Sequence, residues 1–299
     1  MIQRTTLTSA AVCAGVGLHS GARVRMVMKP APVGAGIVFE RSDLELDDCM
    51  IAARWDQVRS TDLGTTLINE AGASVATVEH FMAALAGLGV DDVIVELDGP
   101  EVPAMDGSSK PFVDLLLRAG LTQSAAPRRA VQVLRPVCVE EGGRRAELLP
   151  ALNGVIDVEI DFDDPAIGRQ SFAFDVSPQA FMDLVAPART FGFRRDYDKL
   201  VSMGLARGGS MDNAIVIEDD GVANPEGLRF ADEFVRHKAL DALGDLYLAG
   251  LPILGLYKAL RPGHGLNNRM LRALFADEAN YKIVSMRETA ATTRQAVRG

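Results

Sequence analysis

The run FVRHKALDALGDL, residues 234–246, carries His237, Asp241 and Asp245 at intervals of four among residues that are otherwise almost all apolar. At about 100° per residue a helix puts these three side chains on one face, with Lys238 at its edge. On a solvated helix that spacing makes an ordinary i,i+4 ion pair. Here Ala239, Leu240, Ala242, Leu243, Leu246, Tyr247, Leu248 and Ala249 surround the stripe, and a helix apolar on all sides is a buried one. Buried charges need a partner or a metal, so the stripe points to chemistry.

The sequence has four histidines, His19, His80, His237 and His264. His80 follows Glu79 in ATVEHFMAAL, which sets a base and a ligand about 100° apart on one turn. That pair is a weak signal alone, and HExxH is absent. Joined to His237 and Asp241 it completes two histidines and a carboxylate, the ligand set of a catalytic zinc site whose fourth position stays open for water. His264 lies in RPGHGLNN, where Gly263 and Gly265 predict unusual backbone angles and an exposed imidazole. Asp245, one turn beyond Asp241, is spaced to orient that imidazole and hold it protonated. His19 stands in GVGLHSG, whose glycines read GxGxxxG and lack the acidic residue of a dinucleotide fingerprint. It either lines the site or finishes a turn.

The elements that must position these groups are legible in outline. RVRMVM (23–28), GIVF (36–39), TTLI (65–68) and VIVEL (93–97) read as strands, separated by Gly, Pro and Asp turns. A helix is expected from about Thr77, as N-cap, to Leu85, with Gly87 and Gly89 as stops, and another over PFVDLLLRAG with Pro111 at its start. TQSAAPRRA (122–130) is the most linker-like stretch, and strands resume after it with VQVL, VCVEE, AELLP and VIDVEIDF. A helix near PQAFMDLV, a Gly-rich stretch, a long helix over 230–249, the strand ILGLY and a helix near LNNRMLRALF complete the order. The pattern predicts an α+β protein of two similar-sized domains, 1–124 and 125–299, each a sheet packed with helices, with the site between them. Glu79 and His80 fall in the first domain, and His237, Asp241 and His264 in the second.

Composition bounds the function. With 299 residues and 48% hydrophobic content the chain buries a large core, and a formal charge of −9 with no long basic run argues against nucleic-acid binding. Three separated cysteines with no CxxC pair fit a reducing cytoplasm. The N-terminal stretch is too polar for a signal peptide, and no run reaches the ~18 apolar residues of a membrane span. The polar end RETAATTRQAVRG is expected to fray.

In this order along nearly the whole chain, TVEHFMAALAGLGVDD, PAMDGSSKPF, ARTFGF, GGSMDNAIV, RFADEFVRHKALDALGDL and PGHGLNN closely resemble the UDP-3-O-acyl-N-acetylglucosamine deacetylases, zinc amidases of lipid A synthesis. The resemblance implies zinc on His80, His237 and Asp241, Glu79 as general base, His264 as general acid and the Thr190 hydroxyl as an oxyanion donor. It implies a UDP-3-O-acyl-N-acetylglucosamine substrate, with Phe191 near the uridine. It makes 191–216 an insert that receives the 3-O-acyl chain, with Ser210, Ala214 and Val216 along its wall. On an acidic chain the diphosphate needs local cations, for which Lys238 and Arg261 are the expected pair. A monomer is expected. Two other readings stay open: a zinc amidase for a different amide, and a non-catalytic protein whose stripe is a structural metal or ion-pair cluster.

Overall fold

The computed structural model describes residues 2–45 and 48–286, and the stretch 287–299, expected to fray, lies outside them. The chain is α+β. Its first half contributes β1 (Gln3–Leu7), β2 (Ala11–Val16), β3 (Arg23–Pro30), β4 (Ile37–Arg41), β5 (Met50–Ala52), β6 (Val58–Ser60), β7 (Thr66–Ile68), β8 (Ser74–Val75), α1 (Glu79–Leu88), β9 (Val93–Leu97), α2 (Lys110–Ala119) and β10 (Leu121–Pro127). The second half contributes β11 (Arg129–Val133), β12 (Val137–Glu141), β13 (Arg144–Leu149), β14 (Gly154–Asp161), β15 (Arg169–Asp175), α3 (Pro178–Leu184), β16 (Phe191–Phe193), α4 (Arg194–Ser202), β17 (Ile215–Glu218), β18 (Gly221–Val222), α5 (Glu233–Tyr247), β19 (Ile253–Leu260), α6 (His264–Phe275) and β20 (Tyr281–Ser285).

Each half builds a main sheet. The first is five-stranded in the order β2-β3-β9-β4-β5, and the second is seven-stranded around β19, which pairs parallel with β11 and β14 and antiparallel with β13. The alternation of buried and half-buried residues along β9, and along β14 from Val155 onward, shows strands with one face in the core. Helix α1 backs onto the first sheet, where Phe81 meets Phe39 of β4 with ring centroids 6.2 Å apart. Helix α5 backs onto β14 and β15 of the second. The two helices pack on each other, so the layers run sheet, helix, helix, sheet. All ten residues of α1 and thirteen of the fifteen in α5 are buried, as the all-round apolar sequence of α5 requires.

Several local expectations change. Residues 122–130 are not a linker. They form β10 and the start of β11, and β10 pairs antiparallel with β1 through Thr5 opposite Gln123 and Leu7 opposite Leu121. Small polar residues suit a two-stranded pair that is half exposed, and composition cannot distinguish that from a loop. Helix α1 starts at Glu79, and Thr77 does not cap it: Thr77 has φ +56° and donates its hydroxyl to Glu101 Oε1 at 2.8 Å. Gly87 lies inside α1, where a Cβ would strike the Phe181 ring of α3. The helix ends at Gly89 with φ +74°, a left-handed cap that glycine adopts at no steric cost. His264 opens α6 and is not a turn residue. Its neighbour Gly263 is extended at φ −173° and Gly265 is helical; the left-handed residue is Arg261, at φ +52°.

Candidate functional site

The α1–α5 contact brings residues from the two halves together. His80, His237 and Asp241 are all buried, and one nitrogen or oxygen from each lies within 4.8 Å of the others. Asp241 Oδ1 stands 3.4 Å from His237 Nε2 and 3.6 Å from His80 Nε2, and it is a buried oxygen with no hydrogen-bond partner. His237 Nδ1 lies 3.1 Å from the Ala188 carbonyl. A carbonyl only accepts, so Nδ1 carries the hydrogen and Nε2 presents its lone pair to the same point as Asp241 Oδ1. Burial drives the His237 pKa down to about 3, leaving a neutral imidazole. Burial alone would raise Asp241, but the Lys238 ammonium, 2.7 Å from Oδ2, holds it well below the usual carboxylate range. Two imidazoles and an ionised carboxylate with an orphaned oxygen fit a divalent metal.

Glu79 and His264 flank this cluster. Glu79 Oε2 accepts from the Thr65 backbone N–H at 2.9 Å, while Oε1 lies 3.9 Å from His264 Nε2. Desolvation raises the Glu79 pKa. His264 Nδ1 donates to Asp245 Oδ2 at 2.8 Å. Burial would lower the His264 pKa, yet the Asp245 and Glu79 carboxylates overcome it and hold it at about 10. Asp245 therefore orients a cationic imidazole, as the helical spacing predicts, although that imidazole is largely buried and not exposed, its side chain being 11% accessible.

The remaining expected residues fall as follows. Thr190 is fixed by its backbone, donating to Gly107 O and accepting from Ile215 N, each at 2.8 Å. Lys238 Nζ donates to Asp241 Oδ2 at 2.7 Å and lies 5.5 Å from the centre of the Phe191 ring. Phe191 packs edge-on against Phe234, with centroids 5.0 Å apart. Arg261 is held by Asp161 at 2.8 Å on an exposed face. His19 bridges two segments: its Nδ1 accepts from Ala206 N at 3.3 Å, which leaves Nε2–H to donate to Leu63 O at 3.2 Å. In the insert, burial alternates from Asn213 to Ile217, so Ala214 and Val216 share the accessible face opposite buried Ile215 and Ile217; Ser210 is exposed.

Sequence reasoning missed the groups that hold these in place. Glu233, one turn before His237, accepts from Arg189 N at 3.0 Å and from Arg189 Nε at 2.9 Å, so two successive turns of α5 fix residues 188 and 189. The signal was present, because Glu233 continues the four-residue spacing. Buried Glu101 accepts from His19 N at 2.9 Å and Ser20 Oγ at 2.6 Å. Asn267 donates to Asp245 Oδ2 at 2.8 Å and accepts from the Tyr257 hydroxyl. Nothing local marked these.

A family described as UDP-3-O-acyl N-acetylglycosamine deacetylase matches residues 4–276. Among curated relatives, the UDP-3-O-acyl-N-acetylglucosamine deacetylase of Phenylobacterium zucineum (strain HLK1) is 49% identical over 283 residues, covering 95% of this chain and 97% of its own. That of Shewanella frigidimarina (strain NCIMB 400) is 48% identical over 287 residues, covering 95% and 94%. With His80, His237 and Asp241 clustered beside Glu79 and His264, and relatives aligned over nearly the full length, the chain belongs to the UDP-3-O-acyl-N-acetylglucosamine deacetylase family.

Proposed function

We propose that the chain hydrolyses the N-acetyl group of UDP-3-O-acyl-N-acetylglucosamine in lipid A synthesis, using Zn²⁺ held by His80, His237 and Asp241. The observation that carries the metal reading is the unpartnered buried Asp241 Oδ1 facing two imidazole nitrogens at 3.4 and 3.6 Å. Bound there, zinc supplies a Lewis acid that makes water acidic near neutrality. Glu79 takes a proton from the attacking water, its own affinity for that proton raised by burial. The Thr190 hydroxyl donates to the oxyanion that develops on the acetyl group. His264, protonated and oriented by Asp245, passes its proton to the amine as the C–N bond breaks. Acetate and a free glucosamine nitrogen leave.

Substrate contacts belong to the same proposal. Lys238 and Arg261 are assigned to the diphosphate, Phe191 to the uridine, His19 to the site's edge, and Ser210, Ala214 and Val216 to the acyl passage. Two domains, a monomeric state and a place in the cytoplasm are part of the same proposal; the boundary expected at 124/125 falls inside β10 and is drawn instead at its end, between β10 and β11. Among the described residues no helix is long and apolar enough to cross a membrane.

A structural metal site usually closes with four protein ligands. The cluster found among the described residues has three, which favours an open, catalytic position. Metal analysis of the purified protein together with acetate release from the UDP-acyl sugar tests the proposal. Bound zinc without acetate release points to a different amide, and no bound metal ends the zinc reading.

A further inference from the structure

Thr65 is 1% exposed, and all three of its polar groups are used on the two central helices or on Val78 at the start of α1. Its N–H donates to Glu79 Oε2 at 2.9 Å, its carbonyl accepts from Val78 N at 3.3 Å, and its hydroxyl donates to Asp245 Oδ1 at 2.6 Å. Asp245 Oδ2 in turn accepts from His264 Nδ1 at 2.8 Å. The four residues make a ring with one gap, the 3.9 Å between His264 Nε2 and Glu79 Oε1. That gap exceeds a hydrogen bond, so the carboxylate and the imidazole are not bonded to each other, and an atom beside the gap can lie within hydrogen-bond reach of both. Gly64 keeps the Glu79 side open, since a Cβ there would come within 3.1 Å of Oε1.

We propose that Thr65 is a positioning residue that sets the separation between Glu79 and His264, by clamping Glu79 directly and His264 through Asp245. This rests on the reading of Glu79 and His264 as base and acid. None of Thr65's hydrogen bonds goes to His80, His237 or Asp241. The clamp joins α1 to α5 through one residue that precedes β7, and loosening it costs proton transfer and not binding.

The test compares Thr65→Val, which keeps the shape and the backbone N–H but removes the hydroxyl donor, with Thr65→Ser, which keeps the donor. With rates normalised to bound zinc, Thr65→Val loses about 10- to 100-fold in kcat at unchanged KM, the usual effect of removing a partner that orients a catalytic group. Thr65→Ser recovers most of the rate. Asp245, with one donor fewer, leans harder on His264, so the alkaline limb of the Thr65→Val pH profile moves upward. In an Asp245→Asn background the Thr65→Val loss shrinks towards nothing, because the two changes break one chain. Should valine prevent folding, Thr65→Ala gives the same comparison, and full kcat in whichever zinc-loaded variant folds overturns the clamp. So do an unmoved alkaline limb and fully additive losses, which a merely structural brace would give. If Glu79→Ala and His264→Ala both keep wild-type kcat, the acid–base reading falls. If they lose activity while Thr65→Val does not, only the clamp falls.

Discussion

Gly244 of α5 lies directly against Glu79 of α1: a Cβ built at Gly244 would overlap the Glu79 carbonyl oxygen and press on Ala83 N. The obstructing atoms are backbone, which cannot rotate away. This contact sets how closely the helices approach, and hence whether His80 on one reaches Asp241 on the other. Gly244→Ala is expected to cost stability at or above the upper end of the ~1–3 kcal/mol typical of overpacking, and to lower zinc content as well. Thermal unfolding and metal analysis of the same sample check this. A variant with native Tm and full zinc would show that the helices have slack.

Glu79→Ala and His264→Ala are expected to keep their zinc, since neither is a ligand, and each to lose roughly 10²- to 10⁴-fold in kcat. The pH profiles should part company. Removing His264 erases the alkaline limb of the wild-type bell, where the protonated acid is lost, and removing Glu79 erases the acidic limb. Rates from about pH 5 to 10.5 decide the assignment, and an alkaline limb surviving in His264→Ala would contradict it.

The same imidazole makes a stability prediction. Its pKa is raised from 6.5 to about 10 in the folded chain, Asp245 and Glu79 together overcoming the opposing effect of burial. A raised pKa means that the folded state holds the proton more tightly, so this stabilisation is fully present below pH 6.5 and is lost as pH rises towards 10. Asp245→Asn removes the nearest charge that raises it. The destabilisation by Asp245→Asn should therefore be largest near pH 6 and shrink towards pH 10. Urea unfolding of both proteins at a series of pH values reads the difference. A loss independent of pH would mean that Asp245 acts there only as a hydrogen-bond acceptor.

The sequence carried the candidate catalytic residues further than their supports. His237, Asp241 and Asp245 were readable because a helix converts a four-residue interval into a shared face, and the all-apolar surroundings fixed that face as buried. The i,i+4 rule extends one turn back to Glu233, but its partner Arg189 lies 44 residues away, and no periodicity links residues across that distance. Thr65 is hidden in the same way: its bond to Asp245 spans 180 positions. Residues 122–130 failed for a different reason. Their pairing with β1 depends on a partner at the other end of the first half, and edge strands of small polar residues share the composition of loops. Leu63, Thr77 and Arg261, at φ +60°, +56° and +52°, each sit two or three residues before Thr65, Glu79 and His264. Left-handed backbone at non-glycine residues near reacting groups is visible only in the folded chain.

The last prediction concerns the insert and the acyl chain. In the β16–β17 pair Gly192 stands opposite Val216, and a Cβ at Gly192 would meet nothing within 4 Å. Ala214, just before β17, and Val216 therefore border an open strip on the accessible side of the β16–β17 pair, the side opposite Phe191, which stands across from buried Ile215. A methylene lying in that strip leaves water, which contributes up to ~0.8 kcal/mol per group, or several-fold in kcat/KM for each added carbon until the strip ends. Short-chain substrates should accordingly be poor ones. Ala214→Phe fills part of the strip with a ring and should shift the preference towards shorter acyl chains. Zinc content and the pH profile should stay as in wild type, because Ala214 touches neither a ligand nor the acid–base pair. Its carbonyl accepts from Asn224 Nδ2 at 3.0 Å, a backbone contact that the substitution leaves in place. The measurement is kcat/KM for a series of acyl lengths in both proteins. Equal values for short and long chains in the wild type, or an unchanged chain preference in Ala214→Phe, would show that the acyl group lies elsewhere.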